Sequence, residues 1–511
     1  MSEAVTLNPE IASPEHRDIL IIGAGISGIG GAVHLKKELP NKSFLILENQ
    51  DSFGGTWKTH TYPGIRSDSD LFTFGYKFKP WMGKPIASAE AILEYMGEVI
   101  EENGIDEHIR YGNTVVSASW STEQKCWTLV ANDATTGTTK TYTANFLWMC
   151  QGYYRHSKGY TPEWPGMSDY KGTMVHPQTW PDDLDYEDKN VLVIGSGATA
   201  ATLIPAMADK TKHITMLQRS PTFFVPGENR NELADNLREL DIPDEWTHEI
   251  VRKRILLDGS EITRRSFDEP EVLREELIAG ARAFLGEDFD VEKHFTPSYR
   301  PWQQRLAFVP DGDLFKGIAA GKASVVTDHI ETFNETGVLT TGGEQLDADI
   351  IVTATGFNLC MFGDIEFSVD GKPVDFSDTV TWRGMLLSGV PNMCWVFGYL
   401  RTSWTMRADL ISEFVCRLLK HMDDSGVDVV TPTLRESDEN MDLQPWVDPE
   451  NFNAGYLLRG MHLLPKQGTE LPWRHTQDYY FDRDDIPSAN LDDGTLLYHE
   501  GEKLKRAAGS E

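Results

Sequence analysis

Two glycine-rich turns constrain the fold of this chain more than any other feature. Each lies between an apolar run and a helix-like segment, in "DILIIGAGISGIGGAVHL" and "NVLVIGSGATAATLIPAM". Such a turn lets the backbone approach a pyrophosphate, and the following helix offers its N-terminal N–H groups. The pattern predicts an α/β protein with two Rossmann-like dinucleotide-binding domains. The tight positions are Gly23, Gly25 and Gly28 in the first turn and Gly195, Gly197 and Ala200 in the second.

The residue about twenty positions after each turn suggests which nucleotide each domain binds. The strand "SFLILE" ends in Glu48, where a carboxylate accepts hydrogen bonds from an adenosine ribose, so FAD is expected in the first domain. The strand "HITMLQRSPT" carries Arg219 and Ser220 instead. An arginine fork binds a 2′-phosphate, which favours NADPH in the second domain. A surface arginine at a strand end is the alternative for Arg219.

The amino-acid composition limits the classes of binding partner that are expected. The 511 residues carry a formal net charge of −32, which argues against nucleic acid or anionic lipid. Five scattered cysteines without a C-x-x-C pair suggest neither a disulfide framework nor a metal site. We see no signal peptide and no integral membrane segment, so the expected location is cytoplasmic and the expected state a monomer or weak homo-oligomer.

The order of segments predicts that the second domain interrupts the first. "ADIIVTATGFN" leads the chain back to the FAD domain, and helical periodicity with high charge density marks an insertion. The expected boundaries are a flexible N-terminus at 1–15, an FAD domain at 16–150 and 358–495, an NADPH domain at 151–228 and 295–357, a helical insertion at 229–294, and a flexible tail at 496–511.

The stretch "GGTWKTHTYPGIRSDSD" distinguishes this chain from flavoproteins that reduce disulfides. Those enzymes carry two cysteines where Trp57 and Tyr62 stand here. Without a redox dithiol at the flavin, oxygen is the expected electron acceptor. The chain is therefore predicted to be a redox enzyme in which hydride passes from nicotinamide to flavin.

Two fingerprints carry a resemblance to a known family. The pattern [A/G]-G-x-W-x4-[F/Y]-P-[G/M]-x3-D is met from Gly54 to Asp68, and F-x-G-x3-H-x3-W-[P/D] is met by "YKGTMVHPQTWP" with Tyr170 in place of Phe. The chain resembles the type I Baeyer–Villiger monooxygenases, which are class B flavoprotein monooxygenases, and within them the ethionamide-activating subgroup. The resemblance covers about residues 18 to 410.

The resemblance implies roles for particular residues. Arg305 aligns with the family's catalytic arginine, and Asp68 is expected to pair with it, although Asp68 alone could be a turn-capping carboxylate. His176 is expected to position the interdomain linker, with acid–base chemistry as the alternative. Gln304 replaces a lysine that helps to hold the 2′-phosphate in many relatives. The motif residues are Gly172, His176 and Trp180; the expected cofactor contacts are Gly23, Gly25, Ser27, Gly28, Glu48, Gly55, Thr56, Trp57, Arg66, Ser67, Asp68, Val115, Gly195, Ser196, Gly197, Ala198, Thr199, Ala200, Arg219 and Ser220.

The activity implied by the resemblance is NADPH-dependent insertion of one oxygen atom of O2 beside a ketone carbonyl. In the family this gives an ester or lactone through a C4a-peroxyflavin, and sulfoxidation of thioethers is an expected side activity. One rival is a flavin monooxygenase acting mainly on sulfur or nitrogen; Trp180 and Arg305 favour oxidation of ketones. A second rival is a non-catalytic flavin-binding scaffold, which predicts loss of reactive groups that this chain retains.

Overall fold

The computed structural model describes residues 14–500 and the backbone of 503–505. The larger sheet contains the first glycine turn. Its strand Glu15–Ile22 lies between Phe44–Leu47 and Thr138–Met149, parallel to both, with Leu20 opposite Leu45 and Leu147. These central strands are apolar runs because both faces of the sheet are covered. The strand order is Lys372–Pro373, Glu366–Val369, Asn113–Ser121, Cys126–Asp133, Thr138–Met149, Glu15–Ile22, Phe44–Leu47 and Ile109–Arg110, and Met393–Trp395 also pairs with Thr138–Met149.

The second sheet contains the second glycine turn and is parallel throughout. Its central strand, Asn190–Ile194, leads directly into the turn and the helix Ala198–Met207. Two doubly wound units in an α/β fold therefore agree with the sequence prediction. The strand order is Ala323–Thr327, His213–Gln218, Asn190–Ile194, Ile350–Thr353 and Thr173–Val175.

Smaller sheets connect and flank these two units. Tyr154–Gly159 pairs with Phe357–Leu359, so the outgoing and returning chain segments lie side by side between the units. The remaining pairings are Phe224–Gly227 with Ala307–Pro310; Ile330–Asn334 with Gly337–Thr340 and Gln345–Asp347; Thr381–Trp382 with Leu386–Leu387; and Val429–Pro432 with Leu496–Glu500 and Lys503–Lys505.

Helices cover both sheets and form the inserted segment. Helix Trp404–Ser425 packs against helix Ile26–Glu38, which comes directly after the first glycine turn. The other helices are Thr56–Thr59, Leu71–Phe74, Ala89–Asn103, Ala198–Met207, Glu232–Glu239, Asp244–Asp268, Pro270–Leu285, Val291–Phe295, Asp313–Ala319, Gly455–Gly460 and Tyr479–Ser488, with 3-10 turns at Asp106–His108, Met167–Asp169, Pro177–Thr179, Met361–Asp364, Phe376–Asp378 and Met461–Leu463. No helix within the described residues is long and apolar enough to cross a membrane.

The inserted helices also contact the first unit. Arg252, buried on helix Asp244–Asp268, donates hydrogen bonds to the carbonyl oxygens of Phe72, Thr73 and Gly75. The insertion, expected as part of the NADPH domain, therefore also braces the segment that comes after Asp68.

The ends of the chain differ in part from the expected flexible termini. The prediction is wrong for Leu496–Glu500, which forms a strand against Val429–Pro432, with Leu496 and Tyr498 buried. Apolar side chains at alternate positions give this strand one face that packs on the core. At the other end, Glu15 already belongs to a strand. Residues 1–13 and 506–511 lie outside the described residues.

Candidate active site

A cavity of about 1260 Å³ extends between the two glycine turns. Residues from both sheets and from the C-terminal part of the chain line it. Its size exceeds the roughly 300–1,000 Å³ usual for one small ligand, which suits more than one occupant. The predicted cofactor residues that line it are Gly23, Gly25, Ser27, Glu48, Gly55, Thr56, Trp57, Asp68, Val115, Gly195, Ser196, Gly197, Ala198, Thr199, Arg219 and Ser220.

The first glycine turn is tightly packed. A side chain at Gly28 would lie 1.9 Å from the Gly23 carbonyl oxygen, so this position accepts only glycine. Gly25 and Gly55 meet backbone to backbone, since a Cβ on Gly55 would lie 3.1 Å from the Gly25 Cα. This close approach explains Gly55, whereas Gly54 adopts φ +124° and a Cβ there would lie 2.3 Å from the Leu93 side chain.

Glu48 is buried beneath the first turn and is 4% exposed. Its carboxylate accepts hydrogen bonds from the backbone N–H groups of Ala24 (2.7 Å) and Gln50 (2.9 Å). Burial raises the pKa of Glu48, and these N–H donors oppose that rise. The carboxylate therefore both fixes the turn and faces the cavity.

The fingerprint segment from Gly54 to Asp68 runs from the first turn to the helix of the second unit. Gly64 adopts φ +75°, and a Cβ there would lie 2.5 Å from the Ala206 Cβ on helix Ala198–Met207. Burial raises the pKa of Tyr62 to about 12, and its hydroxyl interacts with the Thr199 side chain. The Tyr-Pro-Gly turn thus packs the first unit against the second glycine turn and the helix that follows it.

The segment ends at an ion pair on the cavity wall. The Asp68 carboxylate accepts two hydrogen bonds from Arg305, at 2.5 Å from Nε and 2.9 Å from Nη2. Arg305 also donates to the Leu400 carbonyl oxygen (3.1 Å) and to the Ser69 hydroxyl (3.0 Å). Burial lowers the pKa of Arg305, but the Asp68 carboxylate more than offsets it, so the pKa lies above the usual value. The expected pairing is present in the structure, and the result is a fixed cation.

Aromatic side chains surround this cation. Tyr153 stacks on Trp404 with ring centroids 5.2 Å apart, and the Tyr456 ring lies 4.4 Å from that of Phe357. The phenol groups of Tyr153 and Tyr456 interact with each other near Arg305, and burial raises the pKa of both. The phenols that face Arg305 therefore stay neutral.

The sequence did not indicate several of these lining residues. Tyr153, Leu400 and Tyr456 come from segments without a recognisable motif, and Leu400 contributes only its carbonyl oxygen. Of the tryptophans in the C-terminal region, Trp404 lines the cavity, and its indole donates to the Ser27 hydroxyl at 2.8 Å. No local pattern could have identified a backbone acceptor.

Some predicted cofactor residues lie elsewhere. Arg66 forms an ion pair with Asp313, at 2.5 Å, outside the cavity, and Ser67 is buried beside Ala87. Arg66 is thus directed toward the second unit, whereas Ser67 packs within the first unit. Gly28 and Ala200 pack within their turns and do not line the cavity.

The second fingerprint lies at the linker between the units. The His176 Nε2–H donates to the Gly356 carbonyl oxygen (3.0 Å), and its Nδ1 accepts from the Gln178 backbone N–H (3.1 Å). This pattern fixes a neutral imidazole, and burial lowers the pKa of His176. A Cβ at Gly172 would lie 2.2 Å from the Tyr170 hydroxyl, and Trp180 packs near Tyr186. None of these three motif residues lines the cavity, which agrees with a positioning role.

Comparison with known proteins places this geometry in a family. Residues 17–263 match the model of the pyridine nucleotide-disulphide oxidoreductases. The FAD-containing monooxygenase EthA of Mycobacterium tuberculosis is 46% identical over 486 residues, covering 95% of this chain and 98% of EthA. The chain belongs to the FAD-containing monooxygenases.

Solved structures of other monooxygenases have a similar fold. A steroid monooxygenase bound to NADP matches with a TM-score of 0.75 and 19% identity, over 95% of this chain and 100% of that one. Cyclohexanone-bound cyclohexanone monooxygenase gives 0.67 and 20%, over 82% and 90%, and OTEMO in complex with FAD and NADP gives 0.67 and 21%, over 83% and 87%. These structures share the fold of this chain, which confirms the expected fold class, and the match to EthA confirms the predicted class of flavin monooxygenase.

Proposed function

We propose that this monooxygenase uses NADPH and O2 to convert a ketone into an ester or lactone, with oxidation of thioethers as a side activity. FAD and NADP are its cofactors, as in its family. The single observation that carries the ketone assignment is the Arg305 cation, held by Asp68 and Leu400 on an aromatic wall between the two glycine turns.

The residues present fit both cofactors. The backbone at the Gly25–Gly55 contact and the Glu48 carboxylate both lie beside the cavity. A dinucleotide whose ribose has a free 2′-hydroxyl requires such groups. The second turn opens into the same cavity beside Arg219 and Ser220. When bound and reduced by NADPH, FAD would supply the electrons that activate O2, of which one atom goes to the substrate and the other to water.

Arg305 supplies the electrostatic part of the mechanism. Attack on a ketone carbonyl develops negative charge on oxygen, and a fixed cation stabilises that charge without reorganising solvent. Asp68 prevents the guanidinium from rotating, because it occupies two of the five N–H donors. The aromatic side chains of Tyr153, Trp404 and Tyr456 lower the local polarity and so strengthen the interaction.

The test is product identification with matched substrates. Purified protein supplied with NADPH and O2 is offered a linear ketone, an aryl ketone and a thioether, and products are identified by mass spectrometry. We expect esters from the ketones. Sulfoxide as the only product would replace the ketone assignment with oxidation of heteroatoms.

An Arg305 series tests the assigned role. Arg305→Ala should retain reduction of the flavin by NADPH but lower ester formation roughly 10²–10³-fold, the cost of removing one transition-state donor. Arg305→Lys keeps the charge but loses the two-pronged contact with Asp68, so an intermediate rate is expected. Normal ester formation by Arg305→Ala would contradict the role given to this residue.

A further inference from the structure

Arg459 is a second arginine on the nucleotide side of the cavity, and no sequence motif points to it. It lies on the short helix Gly455–Gly460, which forms one wall. Tyr456 on the same helix faces the Arg305 end, whereas the Arg459 guanidinium carbon lies 3.5 Å from the centre of the Tyr160 ring. Tyr456 and Arg459 lie three positions apart on one face of this helix, and both contact Phe357.

The Arg459 guanidinium has a fixed orientation, but some of its N–H groups have no hydrogen-bond acceptor among the described residues. Stacking on Tyr160 fixes its plane, and Nη2 donates to the Phe357 carbonyl oxygen at 3.3 Å. A guanidinium has five N–H donors, so others stay available at the edge of the plane. An arginine held flat against an aromatic ring is suited to present that edge to an anion.

The charges around Arg459 are unbalanced. Arg219 lines the same cavity, and within residues 14–500 no carboxylate lies within 4.0 Å of either guanidinium. Burial, followed by repulsion from Arg219, lowers the pKa of Arg459. Both arginine side chains are exposed, so an anion that enters the cavity can reach them, and it would relieve the repulsion between the two cations.

We propose that Arg459, together with Arg219, binds the 2′-phosphate of NADPH and so contributes to the choice of NADPH over NADH. This inference rests on the proposed function, because that function assigns NADPH to the second glycine turn. Arg219 approaches the phosphate from the end of strand His213–Gln218, and Arg459 approaches it from the C-terminal part of the chain. The helix Gly455–Gly460 would thereby contact the bound nucleotide.

The test measures nucleotide binding by the full-length, FAD-loaded protein without any oxygenation. Adenosine 2′,5′-bisphosphate and 5′-AMP are titrated by calorimetry into the wild type, Arg459→Ala, Arg459→Lys and Arg219→Ala. We expect Arg459→Ala to weaken binding of the bisphosphate roughly tenfold, as for loss of a hydrogen bond to a charged group. Binding of 5′-AMP should change less than about twofold, because it lacks the 2′-phosphate.

The matched control is Leu458→Ala. Leu458 is 47% exposed on the same helix and does not line the cavity, so its loss reports any disturbance of the helix itself. Unchanged bisphosphate binding by Arg459→Ala, or an equal loss with 5′-AMP, would overturn the inference. If Leu458→Ala weakened bisphosphate binding as much as Arg459→Ala, the inference would also fail.

Steady-state kinetics separates this inference from the proposed function. The ratio of kcat/KM for NADPH to that for NADH, measured by flavin reduction, should fall roughly tenfold in Arg459→Ala. A wild type that binds the bisphosphate no better than 5′-AMP would overturn both NADPH use and this inference. A wild type that prefers the bisphosphate but makes no ester would overturn only the ketone assignment.

Discussion

The two glycine turns share one backbone conformation but differ in the charged residue that accompanies each of them. Beneath the first turn, Glu48 is buried and hydrogen-bonded to the turn itself. Beside the second turn, Arg219 is exposed and lines the open cavity. The first arrangement suits a cofactor that stays bound, and the second suits a nucleotide that binds and leaves in each cycle. Burial of the selecting charge, and not the glycine pattern, distinguishes them.

The largest effect is expected from adding one methyl group to each turn. In Gly28→Ala the new Cβ would lie 1.9 Å from the Gly23 oxygen, so the purified protein should lack flavin absorbance. Gly197→Ala is the matched change, because nothing lies within 4 Å of a Cβ there, and it should retain flavin. Normal flavin content in Gly28→Ala would contradict the tight packing of the first turn.

Removing the charged side chain beside one turn should weaken binding of one nucleotide and leave binding of the other unchanged. Arg219→Ala should raise the KM for NADPH roughly tenfold, as for loss of a hydrogen bond to a charged group, with unchanged flavin content. Glu48→Gln should instead weaken FAD retention and leave the KM for NADPH unchanged. Dialysis followed by absorbance, and initial rates of flavin reduction, measure the two effects. Loss of flavin from Arg219→Ala would remove the distinction between the turns.

A change at the Tyr-Pro-Gly turn tests how the two sides are joined. Gly64→Ala forces a side chain into a left-handed position 2.5 Å from Ala206, at a cost of about 1–2 kcal/mol for the backbone alone. We expect flavin to be retained and the rate of hydride transfer from NADPH to fall roughly tenfold, because the second unit is displaced. Stopped-flow reduction gives this rate; Gly259→Ala on helix Asp244–Asp268, which adds a methyl group without a contact and away from the cavity, is the control.

The smallest effect is expected from acid. Burial lowers the pKa of His156, on the cavity wall, to about 4, from an ordinary value near 6.5. Because the pKa of His156 is lower in the folded than in the unfolded protein, the neutral imidazole stabilises the fold above pH 6.5. This stability is lost as the pH falls toward about 4, by about 1 kcal/mol per pH unit. Denaturant unfolding across this range should show a flatter profile for His156→Gln. Arg219→Ala, which removes a group charged throughout, should keep the wild-type slope.

Much of the fold was predictable because its signals are local. Strand, glycine turn and helix occur together within about thirty residues, and the selecting charges of Glu48 and Arg219 lie at a fixed distance along the chain. The prediction of a flexible tail is wrong at Leu496–Glu500, because strand formation there depends on Val429–Pro432, more than sixty positions earlier. The ion pair of Arg66 could not be predicted for a similar reason, since its partner Asp313 lies 247 positions away.

The sequence by itself determined the two nucleotide-binding units and their opposite charges, since backbone conformation in a glycine turn is set by the turn's own residues. It also named Asp68 and Arg305, through the family resemblance. The tertiary structure shows the expected pairing of these two across 237 positions, and it alone added the Leu400 carbonyl oxygen and placed Arg459 on the wall of the same cavity. Contacts of this kind depend on how whole units pack, because no local pattern records which distant backbone or side chain will face a cavity.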